Sequence, residues 1–266
     1  MVKFYQKSNF LQNFIQLIKE CDQKILDIYS KDFDIEYKKD ESPLTIADKV
    51  SNNHICDFLQ KINTELEQET NEKFLIISEE NKTIDYELRK KYDYCWLVDP
   101  IDGTKEFIKK NGEFTVNIGL IYKGVPIFGI VSIPVQGCCY YGIEGMGSFK
   151  LDKDNNKQKL CIDPKKMNNE HIKIVASKSH LNSGTKEFIE AYPKYELVSI
   201  GSSIKLLYIA ESIAHLYPRI APTYEWDTCA AHAVVKYAGG IVKKFQSEDE
   251  LIYNKESLLN PYFIVQ

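Results

Sequence analysis

The chain has no basic excess. Its formal charge is −4 and its pI about 5.8, so DNA, RNA or any other phosphate-rich polymer is not expected as a partner. If it handles phosphate, positive charge must be supplied locally. Long apolar runs are also missing. The longest, from Ile118 to Pro134, is interrupted by Lys123-Gly124 and is too short on either side to span a bilayer, so no integral membrane segment is expected. Met1 to Phe10 is broken by Lys3, Gln6, Lys7 and Asn9, which predicts no signal peptide there. The seven cysteines form no C-x-x-C pair and no His stands at zinc-finger spacing. That pattern predicts reduced thiols in a cytoplasmic protein. Internal repeats and low-complexity tracts are absent.

What is present is a 266-residue chain with 44% apolar content, enough for a sizeable core in one large domain or two modest ones. Phe10, Phe14, Leu17, Ile18, Cys21, Ile25 and Ile28 recur at three- and four-residue steps and predict one amphipathic helix. A second is predicted to start at Ser42-Pro43, with Ile46, Val50, Ile55, Phe58, Leu59, Ile62 and Leu66 along one face. Both should pack against a sheet. Phe74 to Ser78 has strand composition and ends on Glu79-Glu80, and Tyr94 to Val98 ends on Asp99. From Phe114 to Ile143, apolar runs separated by turn residues predict an antiparallel meander. Leu151 to Asn169 is polar and is the best candidate for a junction between two halves, 1–150 and 151–266. Strand-like and helix-like segments then alternate, with a short strand at His215 to Tyr217 and a helix from Asp227 to Ala238 stopped by Gly239-Gly240. The fold class is therefore mixed α/β.

The segment Asp99-Pro-Ile-Asp-Gly-Thr-Lys-Glu-Phe107 carries the most chemistry. Two hard oxygen ligands so close together, Asp99 and Asp102, suit Mg²⁺ better than a softer metal. Gly103 lets the backbone approach a ligand closely, and the amides of Gly103, Thr104 and Lys105 open a helix and can cradle a phosphate. The plainer reading makes Asp99 a turn residue and Asp102 a helix N-cap. Glu79 at a strand end and Asp227 before a helix rich in small residues would complete a set of four carboxylates. Their plainer readings are a solvated loop and a second N-cap. Whether the four converge depends on which strands are neighbours.

These residues resemble the inositol monophosphatase superfamily of lithium-sensitive phosphatases, through D-P-I-D-G-T, the upstream E-E pair and the downstream W-D. More narrowly, Trp96 to Ile108, Asn111-Gly-Glu-Phe-Thr-Val-Asn-Ile118, Gly201-Ser-Ser-Ile-Lys205, Leu216-Tyr-Pro-Arg219, Glu225-Trp-Asp-Thr228 and Leu259-Asn-Pro261 resemble the bacterial 3'(2'),5'-bisphosphate nucleotidases of the CysQ type. The likeness runs over almost the whole chain from Ser42 onward.

The resemblance implies an αβαβα sandwich of the carbohydrate-phosphatase type, with the metal site between the two halves. The first half would carry most metal ligands, and the second would carry Asp227 and the substrate pocket. It implies Mg²⁺, two or three ions, held by Glu79, Asp99, the Ile101 carbonyl, Asp102 and Asp227. Thr104 and Asp48 would orient the nucleophilic water, with Glu79 helping to activate it. The substrate would be a small phosphorylated nucleotide, adenosine 3',5'-bisphosphate or its 5'-phosphosulfate analogue, hydrolysed as part of sulfur metabolism. Its contacts would be Glu79, Ile101, Asp102, Gly103, Thr104, His180, Ser202, Ser203, Lys205 and Asp227. Peripheral attachment to the cytoplasmic face of the inner membrane stays open, as does the oligomeric state.

Several alternatives remain at this point. Gly201-Ser202-Ser203 also reads as a strand-to-helix turn with serine caps, and His180 as an incidental surface histidine. Arg219 and Lys178 are further phosphate partners to consider among 34 basic residues, most of which must be solvated. Cys138-Cys139 reads as packing. An inositol monophosphatase would use the same metals, and a non-catalytic metal- or nucleotide-binding protein would retain the same fold. A covalent aspartyl mechanism is disfavoured because the aspartates are three apart.

Overall fold

The computed structural model describes residues 3–38, 43–163, 172–176 and 182–266. Ser42, Lys178 and His180 lie outside them. In chain order the elements are α1 (Ser8–Tyr29), β1 (Ile35–Tyr37), β2 (Pro43–Thr45), α2 (Ile46–Thr70), β3 (Phe74–Ser78), α3 (Tyr86–Arg89), β4 (Tyr94–Asp102), α4 (Thr104–Ile108), β5 (Thr115–Tyr122), β6 (Val125–Ile133), β7 (Cys138–Ile143), β8 (Gly147–Leu151), β9 (Lys157–Leu160), β10 (Ile172–Ala176), α5 (Ser183–Glu190), β11 (Tyr195–Ser199), α6 (Ile204–Ala210), β12 (Tyr217–Arg219), α7 (Cys229–Tyr237), β13 (Val242–Lys244) and β14 (Phe263–Val265).

Strands β3 to β9 form one seven-stranded sheet in sequence order. Only β3 and β4 run parallel, and every later neighbour is antiparallel, as the meander predicts. The alternation of the strands sorts their side chains onto two faces. Trp96, Val98, Val116, Ile118, Phe128 and Ile130 pack beneath the apolar stripes of α1 and α2. Leu97, Cys95, Val131 and Tyr140 pack on the other face with α6 and α7. Beyond these helices lie the β12-β14-β13 sheet and the β10-β11 pair, joined where Ile174 bridges Leu216. Helix α5 covers the outside through Ile189. The order is helix, sheet, helix, sheet, helix.

Helix α7 sits unusually close to the large sheet because Gly119, Gly129 and Gly142 stand side by side across β5, β6 and β7. A Cβ on Gly129 would lie 2.2 Å from the Ala230 carbonyl oxygen, and one on Gly142 would lie 2.4 Å from that of Ala233. Real atoms cannot approach so closely, so this line of glycines is the seat of α7. On β8 the next position along is Ser148, whose hydroxyl donates to the Val234 carbonyl at 2.6 Å.

Some predicted boundaries move. Pro43 lies in β2, paired with β1, and the second helix begins at Ile46. Thr45 and Asp48 form a capping box that satisfies its first amides. The polar stretch 151–169 contains β9, so the large sheet runs on to Leu160. The short strand after His215 is Tyr217–Arg219, and α7 starts at Cys229 with Thr228 as its N-cap. No helix among the described residues is long and apolar enough to cross a membrane.

Candidate active site

Asp99 and Asp102 are three residues apart, and in a regular strand an odd separation places side chains on opposite faces. The strand is not regular here. Asp99 pairs with Asn117 and Asp102 with Thr115, so three steps on β4 oppose two on β5. This β-bulge inserts one residue and brings both aspartates to the α7 side. Ile101, 2% exposed, turns the other way into the α1/α2 core. Gly103 then takes φ +94°, a left-handed conformation open to glycine, and starts α4 at Thr104.

The parallel pairing of β3 with β4 supplies the next carboxylate. Ser78 is level with Val98, so Glu79 leaves the sheet beside Asp99. Polar residues on α2 hold these strand ends: Ser51 donates to the Pro100 carbonyl at 3.0 Å and Ser78 to Asn52 at 2.7 Å. Asp227 arrives from the far side on the turn before α7. Tyr224 N–H donates to its carboxylate at 2.9 Å, and Asn260 ties the turn to Thr228. Carboxylate oxygens of Glu79, Asp99 and Asp227 all lie within 4.8 Å of one another.

Burial pushes the Asp99 carboxyl well above the usual range, and Glu79, Asp102 and Asp227 push it further. Asp227 is raised by burial and then by Asp102 and Glu79. Glu79 is also raised by burial, opposed by Lys38, whose ammonium lies 2.7 Å from it and 2.6 Å from Glu80. Three carboxylates held together against their mutual repulsion, with oxygen-only donors, fit a hard divalent cation such as Mg²⁺.

Asp48 and Thr104 meet beside this cluster. Asp48 Oδ2 accepts from the Thr45 N–H at 2.7 Å and the Thr45 hydroxyl at 2.6 Å. Its Oδ1 lies 3.2 Å from the Thr104 hydroxyl, which is 3.3 Å from the Ile101 carbonyl. The Asp48 carboxyl is raised by burial.

The opposite wall comes from the second half of the chain. Gly103, Thr104, Lys105, Ser202, Lys205 and Arg219 line one pocket with Glu79, Asp102 and Asp227. Lys205 is 5% exposed, and its ammonium donates to the Ser202 carbonyl at 2.5 Å. Burial lowers it to about 8. Arg219 donates to the Pro222 carbonyl at 3.0 Å and leaves its buried Nε–H without a partner. Lys105, Lys205 and Arg219 thus give the pocket the positive charge that the composition lacks, and Lys38 adds a cation beside Glu79.

The serines expected at the substrate line the pocket and also bond within the protein. The Ser202 hydroxyl donates to Asp102 Oδ2 at 2.7 Å, and the Ser203 N–H donates to the same oxygen at 2.5 Å. The Ser203 hydroxyl, 2% exposed, donates to Asn117 at 2.8 Å. Neither aspartate expected at a helix start caps one: α4 is capped by Gly103 and α7 by Thr228. Lys38, Thr45, Thr115 and Asn117 are additions that sequence reasoning missed. Thr115 and Asn117 had a faint signal in their two-residue spacing, which presents both on one face of a strand beside the two aspartates.

Residues 6–262 match the inositol monophosphatase family. The chain is 38% identical over 257 residues to the 3'(2'),5'-bisphosphate nucleotidase CysQ of Escherichia coli K12, covering 96% of this chain and 98% of that protein. The crystal structure of CysQ from Bacteroides thetaiotaomicron superposes with a TM-score of 0.84 at 38% identity, covering 99% of this chain and 98% of that one. The IMPase of Thermotoga maritima, at 21% identity and a TM-score of 0.73, covers 97% of this chain and 92% of its own and shares the fold. The carboxylate cluster thus lies in a chain that belongs to the inositol monophosphatase family.

Proposed function

We propose that the chain is a Mg²⁺-dependent 3'(2'),5'-bisphosphate nucleotidase that hydrolyses adenosine 3',5'-bisphosphate to AMP and phosphate, and accepts the 5'-phosphosulfate analogue. The observation that carries this reading is the convergence of Glu79, Asp99 and Asp227 within 4.8 Å in a pocket whose far wall is cationic. The near full-length likeness to nucleotidases narrows the substrate.

Mg²⁺ held by Glu79, Asp99, the Ile101 carbonyl, Asp102 and Asp227 supplies, when bound, Lewis-acid neutralisation of the phosphate and a lowered pKa for water at the site. The protein's own residues give direction. Because Thr45 saturates one oxygen of Asp48, the other is reserved for the Thr104 hydroxyl proton. The lone pairs of Thr104 then face the pocket and accept from a water, fixing its line of attack. The raised proton affinity of Asp48 suits it to take up the proton passed through Thr104. The amides of Gly103 and Thr104 receive the scissile phosphate, while Lys205 and Arg219 face the second one. In this reading the enzyme acts in the cytoplasm, on a diffusible nucleotide.

The test is phosphate release with Mg²⁺ from adenosine 3',5'-bisphosphate, its 5'-phosphosulfate analogue, inositol 1-phosphate and fructose 1,6-bisphosphate at equal concentrations. The nucleotides should be preferred, turnover should stop in EDTA, and Li⁺ should inhibit. Preference for the polyol or sugar phosphate would overturn the substrate assignment. No release from any of them would overturn the enzymatic reading.

A further inference from the structure

We infer that Thr115, Asn117 and Ser203 are positioning residues that fix the carboxylate of Asp102, committing its Oδ2 to the protein and leaving Oδ1 as the oxygen offered to a cation. The inference rests on the metal reading above and concerns the one member of the carboxylate set that the Glu79–Asp99–Asp227 cluster does not include.

Counting protons gives the hydrogen bonds a direction. Asp102 Oδ2 accepts the single proton of the Ser202 hydroxyl at 2.7 Å. The Ser203 hydroxyl gives its proton to the Asn117 side-chain carbonyl at 2.8 Å. Thr115 Oγ1 lies 2.6 Å from the Ser202 hydroxyl and 2.8 Å from that of Ser203. Both serine protons are already used, so Thr115 has one proton for the two contacts and gives it to one of them, the nearer being Ser202. It accepts in return from the Asn117 amide at 3.0 Å. The three hydroxyls, the amide and the carboxylate therefore close into one ordered network, with the Ser203 N–H as a second short donor to Oδ2 at 2.5 Å. Thr115, Asn117 and Ser203 are each at most 2% exposed, so water does not substitute for any of them.

Two features of the backbone point the same way. Thr115 and Asn117 are the β5 partners of Asp102 and Asp99 across the bulge, so the strand opposite the ligands carries the groups that aim one of them. Ser202 adopts φ +56°, unfavourable for a residue with a side chain, and the preceding Gly201 N–H is held by Glu113 at 2.9 Å. A strained turn locked from both sides suits a loop whose task is to present two donors to one oxygen. The segment Asn111 to Ile118, which plays no direct part in the chemistry above, thereby acquires a role. It also follows that the Gly201–Lys205 segment reaches the chemistry through Asp102 as well as through the substrate.

The experiment is titration of Mn²⁺ into the metal-free protein, followed by calorimetry or by the electron paramagnetic resonance of free Mn²⁺, for wild type, Thr115→Val, Ser203→Ala and Thr115→Ser. Loss of an outer partner of a ligand typically costs about 10- to 100-fold in metal affinity. Thr115→Val and Ser203→Ala should each weaken Mn²⁺ at one site by that factor and raise the Mg²⁺ needed for half-maximal phosphate release in parallel. Thr115→Ser, which restores the hydroxyl, should return both to within about twofold of wild type. Mn²⁺ affinity unchanged in both Thr115→Val and Ser203→Ala would overturn the inference. If Thr115→Val does not fold, Ser203→Ala decides alone. A wild-type protein that binds no Mn²⁺ would overturn the metal reading and this inference together. One that binds Mn²⁺ but hydrolyses no nucleotide would remove the proposed function and leave the inference standing.

Discussion

At the scale of single residues, the site is built from groups whose cost to the metal-free fold is visible. Burial and then four other carboxylates, those of Glu79, Asp102, Asp227 and Asp48, raise the pKa of Asp99, which is 2% exposed. Asp99→Asn should therefore reduce phosphate release by at least about 100-fold through loss of a ligand, while far-UV circular dichroism shows an intact fold. Wild-type turnover by that variant would remove Asp99 from the site. The thiols give a second prediction. Six cysteines are buried and only Cys161 is exposed, and burial pushes Cys21, Cys95 and Cys139 up to about 12. A water-soluble disulfide reagent should label one thiol per native chain and seven after denaturation. The carboxylates were legible in the sequence because D-P-I-D-G-T follows a strand and repeats a family motif. Thr115 and Asn117 were not, because Phe-Thr-Val-Asn-Ile reads as ordinary strand alternation. Lys38 was missed for a different reason: a lysine among 34 basic residues has no local pattern that marks it as facing Glu79.

Among the elements, the long periodic ones followed from sequence. Helix α1 and the meander strands lie where their periodicities predict, because each buries an apolar stripe or face large enough to impose its period. Strands β1, β2, β13 and β14 have three residues each, too few for any period to show. The start of α2 was misjudged on the strength of Pro43, although Thr45 and Asp48 carried the capping box. The seat of α7 was half legible: the helix was visibly rich in small residues, but the glycines beneath it come from three strands far apart in the chain. Gly129→Ala tests that seat. Its methyl would collide with the Ala230 backbone, and overpacking of this kind costs about 1–3 kcal/mol. Urea unfolding should show that loss, and the Mg²⁺ requirement should rise because Asp227 stands on the turn into α7. A variant as stable as wild type with the same Mg²⁺ requirement would show that α7 is free to retreat.

On the scale of the whole molecule, the carboxylate cluster spans two layers, with Glu79 and Asp99 on the large sheet and Asp227 on the turn into α7. A bound cation would tie these layers together. The raised carboxyl values of Glu79, Asp99 and Asp227 give this a pH dependence. A raised folded-state pKa contributes stability that is fully present below the unfolded value of about 4 and is lost as pH rises through the folded value. The metal-free protein should therefore lose stability as pH rises above the unfolded value, in part through these groups, and Mg²⁺ should offset the loss. At a concentration about 100 times its Kd, a ligand specific for the native state adds about 2.7 kcal/mol. The difference in Tm between Mg²⁺ and EDTA should grow from pH 5 to pH 8, and an equal difference at both would count against the cluster as the binding site.

The glycine line beneath α7 carries a last consequence. Most core distances in a protein are set by side chains, and drift slightly whenever a side chain is exchanged. Here the gap between helix and sheet is set where Gly129 and Gly142 meet the Ala230 and Ala233 carbonyls, atoms that every residue type shares. The spacing between the two layers that carry the carboxylate cluster is thus set by backbone against backbone, and depends less on the size of the leucines and isoleucines around it.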